Sequence, residues 1–265
     1  MACSIFDHTP IVILAGGLGT RLRSALPDGP KGLAPIGEQS FLEIQLGLFR
    51  EQGARRFVLC VGYQSARIQA ALGNGQTWGV RIDYSAEGER LLGTAGALKL
   101  AERFFAPRAL VVNGDTYFAL DYHRLLQRHV DMRARHGIVA TLSLATADAE
   151  ARYGNVLLDA SEQFVTGFRE KDSSAAQAGC WVNAGAYVIE RELLDLVPAN
   201  EPCSLEHHVF PHALAANLRI AAYTTASRFF DIGTPDSWRA FTDYYLEMCN
   251  GKHAKADSAA YQGQY

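Results

Sequence analysis

The sequence predicts an α/β fold: a doubly wound sheet, mixed in strand direction, in one domain. Three observations point there. From Ile11 to Asp115, short apolar runs of strand length alternate with segments of helical period. The first run, IVILA, opens directly into Gly16-Gly17. From Ile138 onward the pattern changes to successive strands with few helices between them, with no internal repeat and no linker. Alternation of strand and helix is the mark of parallel strands joined by helical crossovers, and the later strands then extend the same sheet.

Each element has its own local reason. Residues 11–15 are apolar throughout, as a strand buried on both faces requires. Ser40 precedes Phe41, Ile44 and Leu48 at helical spacing, Glu43 completes a capping box, and Gly53 stops the helix. Residues 56–61 form a second buried strand, 65–72 a helix, 80–84 a strand, 94–104 a helix, and 109–112 a strand ending at Asn113-Gly114-Asp115. Further on, 138–146, 153–158, 164–170 and 181–189 read as strands. Residues 192–197 and 205–217 read as helices, the second bent at Pro211. Strands at 218–223 and 228–232 and a helix over 235–248 close the domain. Residues 1–250 are expected to form the domain and the small, polar stretch 251–265 a frayed tail.

Composition narrows the function. Hydrophobic residues make up 48% of the 265, enough for an ordinary core, which excludes wholesale disorder. Lys plus Arg is 25 against 28 Asp plus Glu, a net charge of -3, so no basic field exists to draw nucleic acid or an anionic membrane. No apolar run approaches the ~20 residues of a membrane span. The start, MACSIFDHTP, lacks the basic and apolar stretches of a secretory signal. The cysteines, at 3, 60, 180, 203 and 249, are odd in number and without C-x-x-C spacing, which reads as reduced thiols. A cytoplasmic location is expected, with no nucleic-acid or membrane partner.

The densest chemical signal is Gly16-Gly17-Leu18-Gly19-Thr20-Arg21, directly after the first strand. Glycines there let backbone N–H groups approach a phosphate with no Cβ in the way. The dinucleotide fingerprint fails because Leu22 stands at its third glycine, and no G-K-[ST] follows. What remains is a phosphate loop with Arg21, followed by Pro30-Lys31, placing two cations at one strand end as a polyphosphate needs. Taken alone, the loop also reads, less well, as a glycine turn with surface cations. Asp115 and Asp231 each follow a strand, where carboxyl ends line a ligand crevice. Two such carboxylates can share one Mg²⁺ with substrate phosphates; separately, each reads as a cap or turn former.

Together the segments GGLGTRL, PKGLAPI, SFLE, LLGTAGAL, NGDT, FREK, WVNAGAYVI and FFDIGTPDSW resemble the sugar-1-phosphate nucleotidyltransferases. They run in the family's order from Ile11 to Trp238. The resemblance implies a Rossmann-like nucleotidyltransferase domain, without the β-helix that some members append. The order SFLE after PKGLAPI and the FFDIGTPDSW ending look most like the D-glycero-D-manno-heptose 1-phosphate guanylyltransferases of capsule and surface-layer pathways. Two positions depart from the pattern: Gly32 and Leu92 stand where the family usually has proline. Neither removes a charge.

What the resemblance implies for the site follows residue by residue. Arg21, Lys31, Asp115, Lys171 and Asp231 form the catalytic set, with Mg²⁺ on Asp115 and Asp231, Arg21 on the leaving pyrophosphate and Lys31 near the α-phosphate. Ala15, Gly16, Gly17, Gly19, Thr20, Glu87, Gly93, Thr94, Gly96 and Gly114 are implied for the nucleotide. Gly154, Glu170, Lys171 and Asn183 are implied for the sugar phosphate. On an ideal strand Glu170 and Lys171 point to opposite faces, so both serve one site only where the strand ends or bulges. The substrates implied are GTP, or another NTP, and a sugar 1-phosphate; homo-oligomers occur in the family.

Glu87 bears on the base. A carboxylate only accepts hydrogen bonds, and guanine offers adjacent donors at N1 and N2. A glutamine there would suit uracil or thymine instead. The charged run Glu87-Gly88-Glu89-Arg90 also reads as a solvated loop. Glu206-His207-His208 with His212 has a zinc-like spacing, but lacks H-E-x-x-H and is broken by Pro211. Trp78 and Trp181 read as core, and Cys180 and Cys203 lack a basic partner that would activate a thiol. A nucleotide-sensing subunit without turnover remains the alternative of another class, and loss of a metal carboxylate or signature cation would mark it.

Overall fold

The computed structural model describes residues 4–26, 29–88, 90–146, 155–169 and 180–251. In chain order the elements are β1 (Ile11–Leu14), β2 (Pro35–Ile36), β3 (Gln39–Ser40), α1 (Phe41–Glu51), β4 (Arg56–Val61), α2 (Ser65–Leu72), β5 (Arg81–Ala86), α3 (Gly93–Leu100) and β6 (Arg108–Asn113). There follow β7 (Thr116–Phe118), α4 (Tyr122–His136), β8 (Ala140–Thr146), β9 (Asn155–Leu158), β10 (Val165–Arg169) and β11 (Trp181–Glu190). The chain ends in α5 (Phe210–Ala215), β12 (Ile220–Thr225), β13 (Phe229–Asp231) and α6 (Pro235–Cys249).

One sheet runs through both halves, in the order β10-β9-β11-β6-β1-β4-β5, with β8 on β11 and β12 on β8. β6, β1, β4 and β5 are parallel; β11 lies antiparallel to β6 and joins the later strands to them. The sheet is therefore mixed, as the sequence predicts. Its two faces are both buried. Ile11 and Ile13 pack under one layer and Val12 under the other, which is why these strands read as unbroken apolar runs. α1 covers one face with Leu42, Leu46 and Phe49, and Glu43 Oε2 accepts from the Ser40 N–H at 2.6 Å. A third cluster under α6 joins Phe241 to Leu22, Phe41 and Phe230.

Three elements depart from expectation. α4 lies in a stretch, residues 116–137, to which the sequence reading assigns no element. Asp121 caps it, accepting from the Arg124 N–H at 3.1 Å, and Gly137 ends it at φ +65°. Residues 191–196 form a 3₁₀ stretch instead of an α-helix. The helix expected over 205–217 is a π-turn, Leu205–Val209, leading into α5. Pro211, in the first turn of α5, has no N–H to return to the preceding turn, and the wider π-turn runs directly into that helix. Gly154, Glu170, Lys171 and the expected tail beyond Gly251 lie outside the described residues. No described helix is long and apolar enough to cross a membrane.

Candidate active site

Three segments meet at the carboxyl ends of the central strands. β1 runs into the glycine loop, β6 into Asn113-Gly114-Asp115, and β13 delivers Asp231. A two-stranded ribbon sets the last two side by side. Thr116 of β7 pairs with Asp231 of β13, and the Ile232 N–H donates to the Asp115 carbonyl at 2.9 Å. The Gly233 N–H donates to Asp231 Oδ1 at 2.6 Å and orients that carboxylate.

Lys31 stands between the two acids. Its Nζ lies 2.5 Å from Asp115 Oδ2 and 3.5 Å from Asp231 Oδ1. Gly19, at φ +60°, lets the loop close over it: a Cβ there would come within 3.1 Å of Lys31 Cβ. A Cβ on Gly233 would come within 3.0 Å of Lys31 Nζ and 3.1 Å of Arg21 Nη2, so both signature cations converge over one bare peptide.

The donor chemistry fits a hard divalent cation. Two carboxylates already converge on a single positive charge, the Lys31 ammonium, which stands in for such an ion. Among the described residues no group of three or more His, Cys, Asp or Glu could hold a metal. A cation at Asp115 and Asp231 would therefore complete its shell with phosphate oxygens and water.

Two cavities meet at this point, and Asn113 and Asp115 line both. The first, about 240 Å³, is floored by Gly16, Gly17 and Cys60 and walled by Glu87, Gly93 and Thr94. Glu87 is buried and so is no solvated loop charge. Its Oε2 accepts the Leu92 N–H at 2.5 Å, a bond that a proline at 92 would abolish. Its Oε1 fills the space a Cβ on Gly16 would need. Burial raises the Glu87 carboxyl above its ordinary value of 4.5, against the lowering effect of the Leu92 bond. Burial, helped by the charge of Glu87, pushes the Cys60 thiol up, and burial raises Cys203. Both stay protonated and neither is a nucleophile.

The start of α3 is held from inside. The Ala95 and Gly96 N–H groups donate to the Cys203 carbonyl at 2.9 and 3.3 Å, so these donors are unavailable to an anion. Gly96 faces Glu201 and Cys203 behind the helix, and Gly114 packs against Leu14 and Ala15. Ala15 donates its N–H to the Cys60 carbonyl, and Thr20 is exposed on the loop. These four lie outside the lining of the two shared cavities.

The second cavity, about 430 Å³, contains Asn183 and Asp231 together with Asn155, Arg169, Tyr187, Glu206 and His207. Gly185, at φ +71°, puts a register shift into β11 between Asn183 and Tyr187. Asn183 Nδ2 donates to the Tyr187 hydroxyl at 2.8 Å, and that hydroxyl donates to Glu206 Oε1 at 2.9 Å. Glu206 Oε2 in turn accepts from Thr94 Oγ1 at 3.1 Å and Ser204 Oγ at 2.9 Å. Burial, then the charge of Glu206, holds the Tyr187 phenol well above 10.0. One chain of hydrogen bonds thus crosses from the second cavity to the first.

The sequence did not single out Asn113, Arg169, Tyr187 or Glu206. Asn113 carried a signal as the last residue of a strand before Gly-Asp. Glu206 stood inside a histidine run whose zinc-like spacing drew attention instead; here it is a hydrogen-bond acceptor joining two cavities. Trp78 and Trp181 both pack against the core.

The profile of the Nucleotidyl transferase family matches residues 11–247. The chain is 32% identical to the D-glycero-alpha-D-manno-heptose 1-phosphate guanylyltransferase of Aneurinibacillus thermoaerophilus, over 86% of this chain and 94% of that protein. It is 34% identical to the mannose-1-phosphate guanylyltransferase of Mycobacterium tuberculosis, over 86% of this chain and 62% of that one. The crystal structure of HddC from Yersinia pseudotuberculosis complexed with GMP-PN superposes with a TM-score of 0.74 at 28% identity, covering 89% of this chain and 99% of HddC.

Proposed function

This chain belongs to the nucleotidyltransferase family, and on that premise we propose that it transfers a guanylyl group from GTP to a sugar 1-phosphate, D-glycero-D-manno-heptose 1-phosphate, releasing pyrophosphate. The observation that carries this reading is the junction: two cavities share Asn113 and Asp115, and Lys31 and Asp231 stand at the seam. A donor and an acceptor in these cavities would meet there. The similarity to heptose 1-phosphate guanylyltransferases and to HddC with GMP-PN supports the choice of base and sugar.

In the reaction, an oxygen of the sugar phosphate attacks the α-phosphorus of GTP. A new P–O bond forms, the bond to the β-phosphate oxygen breaks, and pyrophosphate leaves with that electron pair. The attacking oxygen is already anionic, so no general base is required and catalysis is positioning and charge neutralisation. Mg²⁺ on Asp115 and Asp231 would supply Lewis-acid neutralisation of the reacting phosphates. Arg21 binds the departing pyrophosphate. Lys31 exchanges its carboxylate partners for the α-phosphate, so its ammonium is placed before substrate arrives.

We assign the nucleotide to the first cavity with Gly16, Gly17, Glu87, Gly93 and Thr94, contributed by about residues 1–115. We assign the sugar phosphate to the second, with Asn183 and, carried by family resemblance, Gly154, Glu170 and Lys171. Pyrophosphate release from Mg²⁺, GTP and a panel of sugar 1-phosphates tests the whole reading. The heptose phosphate should give the highest kcat/KM. Preference for mannose 1-phosphate would revise the sugar, preference for UTP the base, and absence of release with every pair would leave a nucleotide-sensing subunit.

A further inference from the structure

α1 carries one residue that its packing does not explain. The helix buries Phe41, Leu42, Ile44, Leu46 and Phe49, and among them Gln45 is 1% exposed. Its Nε2 donates to the Asn113 carbonyl at 2.9 Å and to the Thr116 carbonyl at 2.6 Å. These carbonyls bracket Gly114-Asp115. Gln45 Oε1 is buried with no hydrogen-bond partner among the described residues. A half-satisfied amide is a costly occupant of an apolar helix face, and a leucine would be buried there at lower cost. The orientation of the amide is fixed by chemistry: turned over, it would set its oxygen against two carbonyl oxygens.

The rest of the loop shows what those two bonds add. The Gly114 N–H is held by the Leu14 carbonyl and the Asp115 carbonyl by the Ile232 N–H. Without Gln45, the carbonyls on either side of Asp115 would face the apolar side of α1 unpaired. The Asp115 carboxylate would then lose its fixed distance to Asp231.

We propose that Gln45 is a positioning residue that clamps the Asp115 loop and thereby sets the spacing of the two cation-binding carboxylates. The inference rests on the reading of Asp115 and Asp231 as cation ligands, and wild-type protein tests that reading by itself. Mn²⁺ titrations followed by electron paramagnetic resonance, in the presence of a non-hydrolysable GTP analogue, should show a bound ion. If wild type binds none, the reading of the site fails. If it binds, Gln45→Leu should weaken Mn²⁺ by about tenfold, the scale on which partners of metal ligands act. The same variant should raise the Mg²⁺ concentration for half-maximal rate by a similar factor while KM for both substrates at saturating Mg²⁺ stays within about twofold. Leu46→Ala, on the same helix but away from the loop, should lower Tm without moving Mn²⁺ affinity. Unchanged Mn²⁺ affinity in Gln45→Leu overturns the proposal whatever happens to its Tm. Should Gln45→Leu prove insoluble, Gln45→Met carries the same comparison, and insolubility of both would assign Gln45 to folding instead.

Discussion

Asp231 and Asp115 reach the same ammonium from different strands, so neither can replace the other. Asp115→Asn or Asp231→Asn is expected to lower kcat at least about a hundredfold, because charge stabilisation at a phosphoryl centre typically contributes several kcal/mol. Steady-state rates at saturating Mg²⁺ check this, and near-wild-type turnover in Asp231→Asn would remove it from the site. Glu87 is the second residue with a sharp expectation. Hydrogen bonds to a charged group contribute about 1.5–3 kcal/mol each, so Glu87→Gln should cut kcat/KM for GTP by about tenfold or more and narrow the gap to UTP. Its carboxyl is raised by burial, and only the ionised form accepts both guanine donors. Activity with GTP should therefore fall on the acid side at a pH above the ordinary 4.5 of a glutamate, and that limb should be absent in Glu87→Gln. An unchanged acid limb in the variant would assign it to another group. The acids were legible in the sequence because each ends an apolar run. Glu206 and Gln45 were not, since one sits in a histidine-rich segment and the other on an apolar helix face, and their partners come from remote strands.

At the scale of elements, the two departures from the family pattern have local structural reasons. A Cβ on Gly32 would lie 2.6 Å from Leu42 Cδ1 and 2.9 Å from Leu42 Cγ, so α1 occupies the space that a proline ring would need. Gly32→Pro alone should destabilise by about 1–3 kcal/mol, the usual cost of overpacking. Combining it with Leu42→Ala should destabilise by less than the two single changes add up to. Thermal melts of the three variants check this, and strict additivity would show that the ring finds another place. The parallel strands were readable because burial on both faces leaves no polar position in them. α4 was less plain: its buried stripe of Tyr122, Leu125, Leu126, His129 and Met132 keeps helical spacing, but it contains a histidine and is surrounded by charge. That histidine becomes a core residue only through groups on other strands.

Those groups lie at the far end of β6 from Asp115 and bear on the whole molecule. His129 is fully buried; its Nε2 lies 2.9 Å from Glu190 Oε1 and its Nδ1 2.9 Å from Thr141 Oγ1. Arg108 approaches the same carboxylate oxygen at 3.0 Å. Burial holds the His129 imidazole below 6.5, although Glu190 works in the opposite direction. For Glu190, burial would raise the carboxyl, but the bond to His129 and the charge of Arg108 outweigh it and keep it below 4.5. The unfolded chain thus binds a proton on His129 before the folded one does. Stability should fall as pH drops below about 6.5, and Glu190 should add to the loss below 4.5 as its folded value is approached. In His129→Gln the decline of Tm between 6.5 and 4.5 should be shallower; an identical slope would place the titration elsewhere.

The β7–β13 ribbon also has a consequence in time. Asp115 emerges from a ribosome well before Asp231, yet the partner strand, the Gly233 N–H and the Trp238 indole, which donates to the Pro35 carbonyl at 3.1 Å, all lie in residues 229–238. Loop-closure entropy makes such distant pairings late events. A nascent chain therefore displays its glycine loop and its first acid long before the second acid can join them. The junction of the two acids is withheld until residues 229–238 have been made.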